Sequence, residues 1–173
     1  GDFDDQVLFS SVNRKNEIVL AGYSWTGVDT SAREVWLFKQ ATDGRNIWSR
    51  KLGKWDLNTL ATDDNNRILL GGYQFDDSLH SHYRIMALND MGRKLWERTY
   101  ADFGEVKFLE NMPDQSFLVV AGNWISRMDN RGYLVWEYLP PPGNVYWKGL
   151  VAENAETYIG GIRNNSGLII TKF

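Results

Sequence analysis

Two short signatures recur along the chain at nearly constant spacing, and this recurrence restricts its fold more than any other property. The first is an apolar run closed by a small residue and glycine: Ile18-Val-Leu-Ala-Gly22, Ile68-Leu-Leu-Gly-Gly72, Leu118-Val-Val-Ala-Gly122 and Tyr158-Ile-Gly-Gly161. The second is Gly-x-x-aliphatic-Trp, running from Gly44 to Trp48, Gly92 to Trp96 and Gly132 to Trp136. Each Trp precedes the next such Gly by 24, 26 and 25 residues, whereas the distance from Gly to Trp within a unit is 26, 24 and 14. A fixed framework with one variable loop per unit, at a period between 40 and 50, is the signature of propeller blades.

Each unit reads as four strands. In the second, strands are expected at Leu57 to Ala61, Arg67 to Tyr73, Tyr83 to Leu88 and Lys94 to Tyr100. Polar segments such as Asn13-Arg-Lys-Asn16 and Asp63-Asp-Asn-Asn66 separate first from second strands, and Gly44, Gly92 and Gly132 sit where a hairpin calls for positive φ. No window of more than about ten residues has helical periodicity, so the expectation is an all-β chain. The eight Trp and sixteen Gly agree with this, and the three repeated Trp are expected to wedge between neighbouring sheets.

Ala87-Leu-Asn-Asp-Met-Gly-Arg-Lys-Leu-Trp96 and Arg127-Met-Asp-Asn-Arg-Gly-Tyr-Leu-Val-Trp136 resemble the bacterial propeller repeat written L-D-x-x-G-x-x-L-W, allied to the PQQ-like, tryptophan-docking propellers. Ile68-Leu-Leu-Gly-Gly-Tyr73 resembles the I-L-x-G-G-Y strand of that repeat. The resemblance implies a β-propeller of four-stranded antiparallel, WD-like blades. It leaves function open, because the same blade serves enzymes, assembly factors and adhesion modules.

The units run over about 6–52, 56–100, 105–139 and 145–173, within a single domain of 1–173. Phe173 falls at the position of Leu88 and Met128, so the fourth unit lacks its outer strand and fifteen strands stand where four blades need sixteen. Three explanations fit: a piece of a longer propeller, which we favour; a partner or second copy that supplies the strand; or a ring with one three-stranded blade.

Chemistry-bearing residues are sparse. Asp76, Asp77, His80 and His82 share one variable loop, where imidazole and carboxylate at short spacing suit a metal or proton transfer; a solvated loop is the simpler reading, and no metal site or catalytic residue is assigned. Tyr23 and Trp25 offer a stacking face for a sugar or peptide, set against plain packing. The pairs Asp4-Asp5 and Asp63-Asp64, with Asp129, read as turn caps rather than glycosidase carboxylates. No glycine loop precedes a helix to cradle a phosphate, and no cofactor is expected. The absence of Cys excludes a thiol nucleophile and a thiolate zinc site, the net charge of −3 disfavours nucleic acid, and no apolar run approaches a membrane span.

Constant framework, variable loops and a missing strand lead to one expectation: a non-enzymatic module, outside the cytoplasm, that holds a protein partner or self-associates through its loops and open blade edge. The alternative is a carbohydrate-binding or hydrolase propeller.

Overall fold

The computed structural model describes residues 5–25, 33–75, 80–101, 105–122, 124–152, 156–163 and 167–173. Among them are fifteen strands and no helix, so no helix is long and apolar enough to cross a membrane. Blade 1 holds β1 (Gln6–Val12), β2 (Ile18–Trp25), β3 (Arg33–Gln40) and β4 (Asn46–Lys51). Blade 2 holds β5 (Asp56–Thr62), β6 (Ile68–Phe75), β7 (Ser81–Leu88) and β8 (Lys94–Ala101). Blade 3 holds β9 (Val106–Asn111), β10 (Phe117–Ala121), β11 (Trp124–Met128) and β12 (Leu134–Tyr138). Blade 4 has only β13 (Asn144–Val151), β14 (Thr157–Arg163) and β15 (Gly167–Lys172). All pairings are antiparallel between sequence neighbours, which makes each sheet a meander. The fold is a propeller of four blades, the last one three-stranded.

Turn chemistry sets the registers. The Asn13 carboxamide oxygen accepts the backbone N–H groups of Lys15 and Glu17, and the Asp63 carboxylate accepts those of Asn65 and Arg67, closing the first hairpins of blades 1 and 2. Asn89 and Asp129 do the same two and four residues ahead in the third hairpins of blades 2 and 3. The third hairpins of blades 1, 2 and 3 each pass through a left-handed glycine, at φ 82° for Gly44, 72° for Gly92 and 80° for Gly132.

Every first strand carries a bulge. The register skips one residue at Leu8, Asn58 and Trp147, and opposite the Val120/Ala121 step it skips Lys107. In blades 1, 2 and 4 the first strand also lies very close to its partner at this point, and that approach explains the glycine in those three blades. A Cβ on Gly22, Gly72 or Gly161 would lie 1.8, 1.9 or 2.0 Å from the backbone oxygen of Gln6, Asp56 or Val145. Blade 3 corrects the sequence alignment here. Ala121, not Gly122, pairs with Val106 as Gly72 pairs with Leu57, and Gly122 lies one step beyond, at φ 57°. The short passage from β10 to β11 needs a left-handed residue at once, so the glycine serves the turn instead of the bulge.

Three apolar cores lie between consecutive blades. Val19, Ala21, Val35 and Leu37 of blade 1 meet Ile68, Leu70, Met86 and Leu88 of blade 2, and corresponding sets fill the other two interfaces. The repeated Trp seals the outer part of each interface by a common geometry. Gly92 faces the Trp48 ring and Gly132 the Trp96 ring, each with room for no more than a hydrogen, and the two indoles donate to the Asp90 and Asn130 carbonyls at 3.1 and 3.0 Å. Trp136 stacks on Phe173 at 5.6 Å.

One buried charge joins blades 1 and 2. Lys39 is 2% exposed and its ammonium reaches Glu17 at 2.5 Å and the Asp90 carboxylate. Burial raises both carboxyls, but it is outweighed, for Glu17 by hydrogen bonds from Lys39 and Asn13, and for Asp90 by those from Lys15 and Lys39, so both sit below the usual range. Carboxyls depressed on folding stabilise above their unfolded values and cease to do so as the pH falls through the folded ones. The urea midpoint is therefore expected to drop as pH is lowered through about 4, and Lys39→Met to flatten that dependence, measured as midpoints at a series of acidic pH values.

Candidate functional site

The four inner strands enter the propeller at one end, and there single polar residues from different blades come together. Tyr23, at the end of β2, is 4% exposed, and its hydroxyl accepts the Leu57 backbone N–H at 2.8 Å. The Arg33 guanidinium lies over the Tyr23 ring, 4.2 Å from its centroid, and pairs with the Asp56 carboxylate at the start of β5. Arg33, Lys54, Trp55, Asp56, Gln74 and Phe75 line a cleft of about 210 Å³ beside this pair.

The next inner strand extends the set. Glu105 directly precedes β9, where its carboxylate accepts the Asn58 carboxamide N–H at 3.3 Å and pairs with the Lys107 ammonium. Asn58 and Lys107 are both residues skipped by their bulges, so neither is tied to a register partner. The Tyr73 phenol is pushed up by burial and by the Asp56 and Glu105 carboxylates near it, and the Tyr23 phenol chiefly by burial. Both hydroxyls stay protonated at neutral pH. The result is a belt with two carboxylates, two cations, an amide and two phenols across blades 1 to 3.

A second cleft, about 400 Å³, opens at the other end of the inner strands among Thr62, Asp63, Glu110, Asn111, Gln115 and Val151. Burial raises the Glu110 carboxyl there, against the opposing effects of the Asn111 backbone N–H and the Lys148 charge. The Asn111 carboxamide nitrogen is occupied by the Thr62 carbonyl at 2.9 Å, and Asp63 is engaged by its own turn and by Arg67 at 2.9 Å.

Of the residues singled out in the sequence, Asp76 and Asp77 lie outside the described residues. His80 leads into β7, and His82 pairs in register with Gln74 and Ala101. Tyr23 is a core residue whose hydroxyl joins the belt, not an open stacking face, and Trp25 meets it edge-on at 6.2 Å. Asp63 and Asp129 cap turns. Among the described residues no three His, Asp or Glu side chains come together as a metal site. Sequence reasoning missed Arg33, Asp56, Asn58, Glu105 and Lys107. The only available signal was an acidic residue recurring just before a first strand, at Asp56 and Glu105.

No family model matches the chain, and no curated protein matches it. Solved structures do. A protein of unknown function from Bacteroides caccae superimposes with a TM-score of 0.60 at 10% identity, over 98% of this chain and 61% of that one. A gluconolactonase from Xanthomonas campestris, described as important in glucose secondary metabolic pathways, gives 0.59 at 16% identity over 90% and 54%. Another protein assigned as a gluconolactonase gives 0.58 at 13% over 96% and 58%. The likeness is one of fold. This chain spans 54–61% of the length of those structures. The two whose names carry an activity are named as gluconolactonases, which corrects the expectation of a non-enzymatic binding module.

Proposed function

We propose that this chain forms the greater part of a hydrolytic propeller that opens the ester ring of a lactone at the Glu105 belt. The observation that carries the reading is the Glu105 carboxylate held between the Asn58 amide and the Lys107 ammonium. Ester hydrolysis needs a base for water and donors for the oxyanion, and this belt offers both within one hydrogen-bonded group. Water attacks the lactone carbonyl while Glu105 accepts its proton, and Lys107 and Asn58 offset the charge that develops on the carbonyl oxygen. Collapse breaks the bond to the ring oxygen, which takes the proton back from Glu105 and leaves a hydroxy acid. The gluconolactonase assignments of two structures with the same fold support this choice of ester. The indole-on-glycine contacts support a blade type akin to the PQQ-like, tryptophan-docking propellers.

The test is a panel of five- and six-membered lactones, sugar-derived and aliphatic, with ring opening followed as proton release. Opening of at least one lactone well above the buffer rate is expected. No acceleration for any of them, with folded protein in excess, overturns the reading.

A further inference from the structure

We propose that the lactone taken at the Glu105 belt carries an apolar substituent, an alkyl or aryl group, and that the Trp147 indole is the surface that selects it. The inference deepens the hydrolytic reading above and rests on it.

Its origin is what a bulge does to a first strand. Strand residues alternate between the two faces of a sheet, and in a propeller each face packs on a neighbouring blade. In blade 2, Leu57 lies in the core shared with blade 1. Thr59 faces blade 3, since its methyl carbon and one of Val106 would both lie 2.8 Å from a Cβ on Gly71. Asn58, between them, belongs to neither face. In blade 3, Val106 packs in the core shared with blade 2 and Phe108 in the core shared with blade 4, which leaves Lys107 between. The residue skipped by each bulge therefore projects from the inner edge of its sheet, toward the propeller axis. Asn58 and Lys107 meet Glu105 there.

In the other two blades the skipped residues are Leu8 and Trp147. The first strands touch in the order β1, β5, β9, β13, so the skipped residues form one row: Leu8, Asn58, Lys107, Trp147. The middle of the row is the amide and the ammonium that would face the carbonyl oxygen, and both ends are apolar. Trp147 is the one exposed Trp of the eight, at 42%, and Leu8 is 41% exposed. Exposure is a property of this position, not of the end of the chain: Lys107 is exposed as well, although blades 2 and 4 cover both faces of its sheet. An indole open to water beside the oxyanion donors gains free energy when a ligand's apolar surface is laid on it. A polyhydroxylated ring would set hydroxyls against Trp147 and Leu8 without partners, whereas an alkyl or aryl group is buried there at no such cost.

Lactams, which resist ring opening, separate this selection from the chemistry. Calorimetric titration with piperidin-2-one, its 6-butyl derivative and glucono-δ-lactam gives the three affinities. The butyl lactam is expected to bind about tenfold or more tighter than the other two. Trp147→Ala, at an exposed position and checked by its urea midpoint, should remove most of that gap, and Trp147→Phe should keep it. Equal affinities, no binding, tightest binding of the sugar lactam, or a gap unchanged in Trp147→Ala overturns the proposal. A Trp147-dependent preference among lactams without opening of any lactone would uphold the apolar site and sink the hydrolytic reading alone.

Discussion

Replacing Gly72 by alanine is expected to lower stability by about 3 kcal/mol, the upper part of the range for overpacking a closed site. The cause is contact, since Gly72 is not among the glycines at positive φ. Its new methyl would meet the Asp56 oxygen at 1.9 Å, the Asp56 carbonyl carbon at 2.9 Å and the Leu57 Cα at 3.0 Å, all backbone atoms that no rotamer can move aside. Relief requires β5 to separate from β6 at its bulge, and Asp56 would carry the Arg33 pair with it. Two other glycines serve as controls. Gly160→Ala meets nothing closer than 4.0 Å and should be close to neutral. Gly44→Ala has open space but sits at φ 82°, so it should cost about 1 kcal/mol through backbone conformation alone. Urea midpoints for the three variants check the order, and a Gly72 variant as stable as the Gly160 one would refute the close-approach explanation.

Much of the framework was legible in the sequence because certain sites admit one residue type. Only glycine tolerates the backbone contact at Gly22, Gly72 and Gly161, and only a large ring covers Gly92 and Gly132. The repeat of Gly and Trp therefore reported blade number, strand order and the short fourth blade. Blade 3 misled by one residue, because an alanine, Ala121, takes the place opposite the bulge and the glycine beside it, Gly122, answers the turn.

The belt was not legible, for a related reason. A bulge adds one residue to a strand and leaves no mark on the alternation pattern, so Asn58 and Lys107 read as ordinary outward polar positions. Glu105 meets Asn58 across 47 residues, and Arg33 meets Asp56 across 23. Each blade contributes one or two groups, and no blade holds a motif by itself. Lys39 was hidden in the same way: a lysine at a strand end reads as solvent-facing until the next blade brings Asp90 over it.

Function turns on Glu105. Glutamine keeps the shape of the side chain and its carbonyl can still accept the Asn58 amide, but it has no charge for Lys107 and cannot take a proton from water. Loss of a positioned general base costs on the order of 100- to 10,000-fold in rate. Because Glu105 is not part of an apolar core, Glu105→Gln should change the urea midpoint little. Glu110→Gln, in the cleft at the other end of the inner strands, is the matched control, for it alters a carboxyl that has no role in the proposed chemistry. The deciding measurement is the rate of lactone opening by the unaltered protein, Glu105→Gln and Glu110→Gln under identical conditions. The account predicts a rate at least about 100-fold lower for Glu105→Gln and a nearly unchanged one for Glu110→Gln. Equal rates for Glu105→Gln and the unaltered protein would contradict it.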